Sequence, residues 1–137
     1  MNQVQREILS LKQEKNALLL AHYYQTIDIQ EIADHVCDSF EMARRARDAT
    51  ETLLVICGVR FMAESAKILN PEKTVLLPAP DAGCPMADMI EPSDVLRLRE
   101  TYPDAAVVCY VNSSAAVKAV SDICCTSSSA EKIVRSI

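Results

Sequence analysis

Five short, largely apolar runs recur along the chain: "ALLLAHYY" (17–24), "TLLVICGV" (52–59), "KTVLLPA" (73–79), "AAVVCYVN" (105–112) and "ICCTSS" (123–128). Runs of this length, nearly free of charge, read as strands buried on both faces of a sheet. Segments with helical spacing lie between them. Residues 2–14 place Val4, Ile8 and Leu11 on one face. Residues 28–49 do the same with Ile29, Ile32, Ala33, Val36, Phe40, Met42, Ala43 and Ala46, with a break expected near Cys37–Ser39. "RFMAESAKIL" is a helix stopped by Asn70-Pro71. Ser93 is expected to N-cap "DVLRLRETY", with Asp94 in its first turn. "SSAAVKAVSD" and "SAEKIVRSI" complete the helical set. Alternating strands and helices build right-handed βαβ units on parallel sheets. The fold class is therefore α/β: three-layer αβα with short parallel sheets.

The chain also repeats itself at an offset of 88 residues. "LLAHYYQ" (19–25) falls on "VVCYVNS" (107–113), and "ADHVCDS" (33–39) on "SDICCTS" (121–127). Asp34 meets Asp122, Cys37 meets Cys125, and Ser39 meets Ser127. The shared pattern is strand, polar tip, helix, Asp, short strand, Ser. It predicts one complete α/β repeat domain over 1–87 and an incomplete, truncated one over 88–137. The second copy breaks off inside a starting helix, as in a chain cut short.

Half the residues are hydrophobic and 24% are charged, which suits a globular domain. The net charge of −5, with no long cluster of Lys and Arg, argues against sequence-independent binding of nucleic acid. No stretch approaches the ~18–20 apolar residues that span a bilayer. The charged N-terminus "MNQVQREILSLKQEKNA" lacks the apolar centre of a signal peptide, so the expected location is the cytoplasm. Disulfides are rare there, and the six cysteines (37, 57, 84, 109, 124 and 125) are expected as thiols or metal ligands. Their spacing fits no zinc finger. The two glycines, Gly58 and Gly83, each follow an apolar run, where φ > 0 or a close backbone approach is expected.

In parallel sheets, ligands bind beyond the carboxyl ends of the strands. The tips there are "HYYQ", "CGVRFMAE", "PAPDAGC", "YVNSS" and "TSSS". His22 with Tyr24 can hold an anionic oxygen or move a proton; the alternative is a histidine half-packed under a helix. Ser39 and Ser127 can bind a carboxylate or phosphate, or simply cap a helix. Tyr110 and Asn112 alternate onto one side of a sheet end, although Asn112 could instead cap the helix from Ser113. Adjacent strand residues point to opposite faces, so Cys124 and Cys125 do not make a metal pair and are expected as core thiols, as are Cys57 and Cys109. Cys84, in "PDAGCPMADM", sits between two prolines on an exposed-looking turn. A nucleophilic thiol, a cluster ligand and a plain turn cysteine all fit that placing.

The strings "AHYYQ", "IADHVCDSFEMAR", "CGVRFMAESAKILNPEKTVLLP", "AGCPMADM", "YVNSSAAVKA" and "SDICCTSSSA" together resemble the quinolinate synthase family, in its order and spacing over nearly the whole chain. The resemblance implies three similar α/β domains with approximate threefold symmetry, of which this chain would be the N-terminal portion. It implies condensation of iminoaspartate with dihydroxyacetone phosphate to quinolinate in NAD biosynthesis, with L-aspartate oxidase as functional partner. It also implies a [4Fe–4S] cluster held by three cysteines and acting as a Lewis acid. Carried onto this sequence, Cys84 is the first cluster ligand. Tyr24 and Tyr110 are catalytic. His22, Ser39, Tyr110, Asn112 and Ser127 bind substrate. Cys37 stands where the family commonly has Gly, and Ser129 where it commonly has Asn. With the other two cluster cysteines expected beyond residue 137, the fragment is expected to be inactive alone. Two rivals remain: a non-catalytic α/β module binding a phosphorylated or dicarboxylate metabolite, and a thiol enzyme pairing Cys84 with His22.

Overall fold

The computed structural model describes residues 1–137, which form two compact units, Met1–Ala82 and Gly83–Ile137. The first unit runs α1 (Gln3–Glu14), β1 (Ala17–His22), α2 (Ile27–Gln30), β2 (His35–Cys37), α3 (Ser39–Asp48), β3 (Leu53–Cys57), α4 (Arg60–Leu69) and β4 (Thr74–Leu76). Its four strands are all parallel, in the order β2-β1-β3-β4. The second unit runs α5 (Pro92–Thr101), β5 (Val108–Tyr110), α6 (Ala115–Ala119), β6 (Ile123–Cys125) and α7 (Ala130–Val134), with β5 and β6 parallel. The molecule is thus α/β, with helices flanking short parallel sheets. No helix is long and apolar enough to cross a membrane.

Period-two alternation divides the first sheet into two faces. Leu20, Leu54 and Ile56 are fully buried on one, where α3 and α4 contribute Met42, Ala46, Phe61, Met62, Ala63 and Ala66. The other face, with Ala17, Leu19, Leu53, Val55 and Leu76, forms an apolar groove alongside Ile8 and Leu11 of α1. Asn2 and Gln5 close the start of α1 with a reciprocal capping box. Asn16 follows its end at φ 47°, the left-handed turn that asparagine tolerates. Lys73 is buried without a carboxylate. Its ammonium group donates to Ala46 O at 3.0 Å and Ala49 O at 2.6 Å, satisfying carbonyls that the end of α3 leaves unpaired.

The 88-residue offset recurs in atomic detail. Leu20 pairs with His35, Ala21 with Val36 and His22 with Cys37; Val108 pairs with Ile123, Cys109 with Cys124 and Tyr110 with Cys125. Asp34 accepts the Leu19 N–H at 2.8 Å and a Lys12 ammonium contact at 2.8 Å. Asp122 accepts the Val107 N–H at 2.7 Å and an Arg99 guanidinium contact at 2.8 Å. Lys12 and Arg99 also donate to the equivalent carbonyls of Ile32 (3.1 Å) and Val120 (3.2 Å). An aspartate, a cation and a backbone N–H pin the same loop to the first strand in both units.

Two expectations need correction, and a third holds in one of its two forms. The 28–49 segment is not one interrupted helix, because β2 stands within it. Asp34 donates its N–H to Leu19 O at 2.9 Å and accepts the Leu19 N–H, which draws 35–37 into register with β1. Ser93 is not the cap of α5. Glu91 is, because Pro92 takes the first helical position, where its missing N–H costs nothing, and Asp94 accepts the Glu91 N–H at 2.9 Å. Neither glycine has positive φ. Gly58 does mark a close approach, since a Cβ there would lie 2.7 Å from Met62 Sδ.

Candidate functional site

In the first unit the chemistry gathers where β1 ends. The rings of His22 and Tyr24 lie 3.9 Å apart between centroids, at 37°. The Tyr24 N–H points to His22 Nδ1 at 3.4 Å. That contact makes Nδ1 the acceptor and leaves the proton of a neutral ring on Nε2. The Tyr24 hydroxyl donates to Met62 Sδ at 3.7 Å, the same sulfur that lies close to Gly58. Burial lowers the pKa of His22, and the nearby Asp38 carboxylate works against this. The neutral imidazole is therefore the prevailing form at neutral pH. Replacing Asp38 with asparagine, which still caps α3, is expected to move the His22 titration midpoint further down, as read by NMR. A midpoint that rises would contradict this account.

Asp38, not Ser39, caps α3 by accepting the Glu41 N–H at 2.8 Å. The Ser39 hydroxyl, half-buried in the first helical turn, takes no part in that cap.

In the second unit, Tyr110 Oη lies 3.2 Å from Ser127 Oγ. The next turn is a web of hydroxyls. Thr126 Oγ1 lies 3.0 Å from both Ser128 Oγ and Ser129 Oγ, and the Thr126 N–H donates to Ser129 Oγ at 2.9 Å. Ser114, not Asn112, caps α6, accepting the Val117 N–H at 3.2 Å. Asn112 Oδ1 is buried and has no hydrogen-bond partner. A buried oxygen left unpaired costs about 1–3 kcal/mol, so it marks a position suited to a donor from outside the chain.

Cys84 is a half-exposed free thiol on the turn between Pro80 and Pro85, its carbonyl accepting the Asp88 N–H at 2.9 Å. Cys37 and Cys109 are buried. Burial raises the thiol pKa of Cys37, with Asp38 and Glu41 adding to the effect, and burial raises that of Cys57. Cys124 is exposed and Cys125 half-buried, so this pair is not the core pair expected. They lie on a strand of a two-stranded sheet, which leaves much of it uncovered. No group of three or more His, Cys, Asp and Glu side chains is gathered as a metal site in this chain. Soft thiolate donors suit iron–sulfur ligation. By that chemistry the half-exposed Cys84 thiol is a suitable type of donor for such a cluster.

Asp38, Met62 and the hydroxyl contacts among Thr126, Ser128 and Ser129 were not singled out in the sequence. The S/T-rich string "CTSSSA" was the visible sign of the web. Met62 had none beyond its helical spacing.

Hydroxyl, imidazole and amide groups thus stand beyond the carboxyl ends of equivalent strands in both units. That defines the class: an α/β repeat scaffold with polar groups at the strand ends of each unit. The family model described as quinolinate synthetase A protein matches residues 6–137. The quinolinate synthase of Clostridium perfringens is 58% identical over 134 residues, covering 98% of this chain and 44% of that protein. That of Caldicellulosiruptor saccharolyticus is 61% identical over 132 residues, covering 96% and 44%. Quinolinate synthase 2 of Methanosarcina acetivorans is 56% identical over 134 residues, covering 98% and 43%. The chain belongs to the quinolinate synthetase A protein family, an enzyme family, and spans less than half the length of these relatives.

Proposed function

We propose that this chain carries part of the active site of a quinolinate synthase of NAD biosynthesis, which joins iminoaspartate to dihydroxyacetone phosphate and releases phosphate and two waters. The observation that carries this reading is the buried, unpartnered Asn112 Oδ1. It lies two residues from the Tyr110–Ser127 hydroxyl pair, at a strand end whose counterpart bears His22 and Tyr24. Asn112 Oδ1 accepts an N–H from the imine nitrogen, a donor that a purely phosphorylated ligand lacks.

Both substrates are anions. The hydroxyls of Ser39 and Ser127 donate to their carboxylate or phosphate oxygens. A neutral His22 with its proton on Nε2 donates a further hydrogen bond without the desolvation cost of a buried cation. Tyr110, its phenol held by Ser127, delivers a proton to a departing hydroxyl during dehydration. Tyr24, stacked on His22 and bonded to Met62, holds the imidazole in place and contacts substrate. Cys84 would ligate a [4Fe–4S] cluster, which supplies, when bound, a Lewis acid for substrate oxygen or nitrogen. An L-aspartate oxidase would supply the imine.

The test uses a chimera in which this chain replaces the matching part of the Clostridium perfringens relative. Tyr110→Phe removes only the phenolic oxygen. It is expected to lower kcat about 100-fold, in the range typical of a lost general acid, with little change in KM. An unchanged kcat would remove Tyr110 from the mechanism.

A further inference from the structure

The second unit carries one sulfur pair that the proposed site leaves unused. Cys109 and Cys124 are direct register partners on the neighbouring parallel strands β5 and β6. Adjacent strands lie about 4.7–4.9 Å apart, inside the roughly 4.4–6.8 Å span between Cα atoms that a disulfide bridges. Partners in register point to the same face of the sheet. Cys109 is buried, and its Sγ also donates to Tyr110 O at 3.3 Å; Cys124 is exposed. Cys125, the next residue, points to the opposite face and is partnered by Tyr110.

The repeat supplies an internal control. The same structural slot in the first unit is occupied by Ala21 and Val36. An apolar pair therefore satisfies the packing demands of this position, and sulfur is not needed to fill it.

From this geometry we infer that Cys109 and Cys124 form a reversible redox site, closed to a cross-strand disulfide by small-molecule disulfides. The exposed Cys124 thiolate attacks one sulfur of the oxidant. The oxidant's own S–S bond breaks and one free thiol leaves, giving a mixed disulfide on Cys124. The Cys109 thiolate then attacks the Cys124 sulfur, and the second thiol leaves. The two cysteines lose two electrons and two protons in all, and the oxidant is reduced to two thiols. Burial, with Cys109 as the next contribution, raises the Cys124 pKa, so the reaction quickens as the solution becomes more alkaline. The closed bridge clamps β5 to β6 directly beneath Tyr110.

The test treats the reduced, folded chain with oxidised glutathione and maps its peptides without reduction. The expected result is joint loss of the Cys109 and Cys124 thiols, a linked peptide between them, and glutathione retained on neither. The thiols return on adding a dithiol reductant. In Cys109→Ala, which copies the alanine at position 21, glutathione is expected to stay on Cys124. The double variant Cys109→Ala/Cys124→Val reproduces the first unit's pair, and its circular dichroism checks that the fold is retained. Stable glutathione on Cys124 of the unaltered chain, or no reaction of either thiol, would overturn the inference. So would a linked peptide that forms equally well in urea.

Discussion

Replacing Cys84 with serine in the chimera is expected to lower quinolinate formation by at least about a thousandfold. A Lewis-acidic metal contributes several kcal/mol to charge stabilisation, and each 1.36 kcal/mol is about tenfold in rate. Cys84 is half-exposed on a turn, so the substitution is expected to change stability by less than about 0.5 kcal/mol. Rate and stability therefore separate. Iron and sulfide analysis with a denaturation curve reads both, and the iron is expected to fall with the rate. Full activity and full iron in Cys84→Ser would make this a plain turn cysteine, one of the three roles its sequence setting allowed.

The second large effect falls on folding. Leu20 is fully buried on β1, a strand paired on both sides by β2 and β3. Leu20→Ala is expected to cost about 3 kcal/mol, combining lost transfer energy with the cavity left behind. Leu76, on β4 at the edge of the sheet, is 47% exposed, and Leu76→Ala is expected to cost less than about 1 kcal/mol. The urea midpoints of the two variants compare them under one denaturant. Similar midpoints would mean that the buried face is not where the stability of this sheet resides.

The strands and most helices were legible because their signals are local. Charge-free runs such as 53–57 have few alternatives to a buried strand, and α4 ends at Leu69, next to Asn70-Pro71. β2 was obscured by its own side chains. Ile32, Ala33 and Val36 carry helical spacing, while two long-range bonds between Asp34 and Leu19, one through the Asp34 N–H and one through its carboxylate, decide the outcome. The repeat compensated, because "SDICC" reads as a strand and lies at the same offset. At the site, the residue types at the strand tips were legible, but their partners were not. No local pattern shows that Tyr24 reaches Met62 across 38 positions, or that Asp38 rather than Ser39 caps α3. The exposure of Cys124 was hidden for the same reason. "ICC" reads as core until the width of its sheet is known.

The most direct measurement supplies iminoaspartate and dihydroxyacetone phosphate, under anaerobic conditions with iron and sulfide, to the chimera and to the 137-residue chain alone. The account predicts that the chimera releases quinolinate and phosphate in equal amounts. It predicts that the isolated chain, with Cys84 as its one proposed cluster ligand, releases neither. Sustained quinolinate formation by the isolated chain would contradict it, as would a fully iron-loaded chimera that binds both substrates and forms no product.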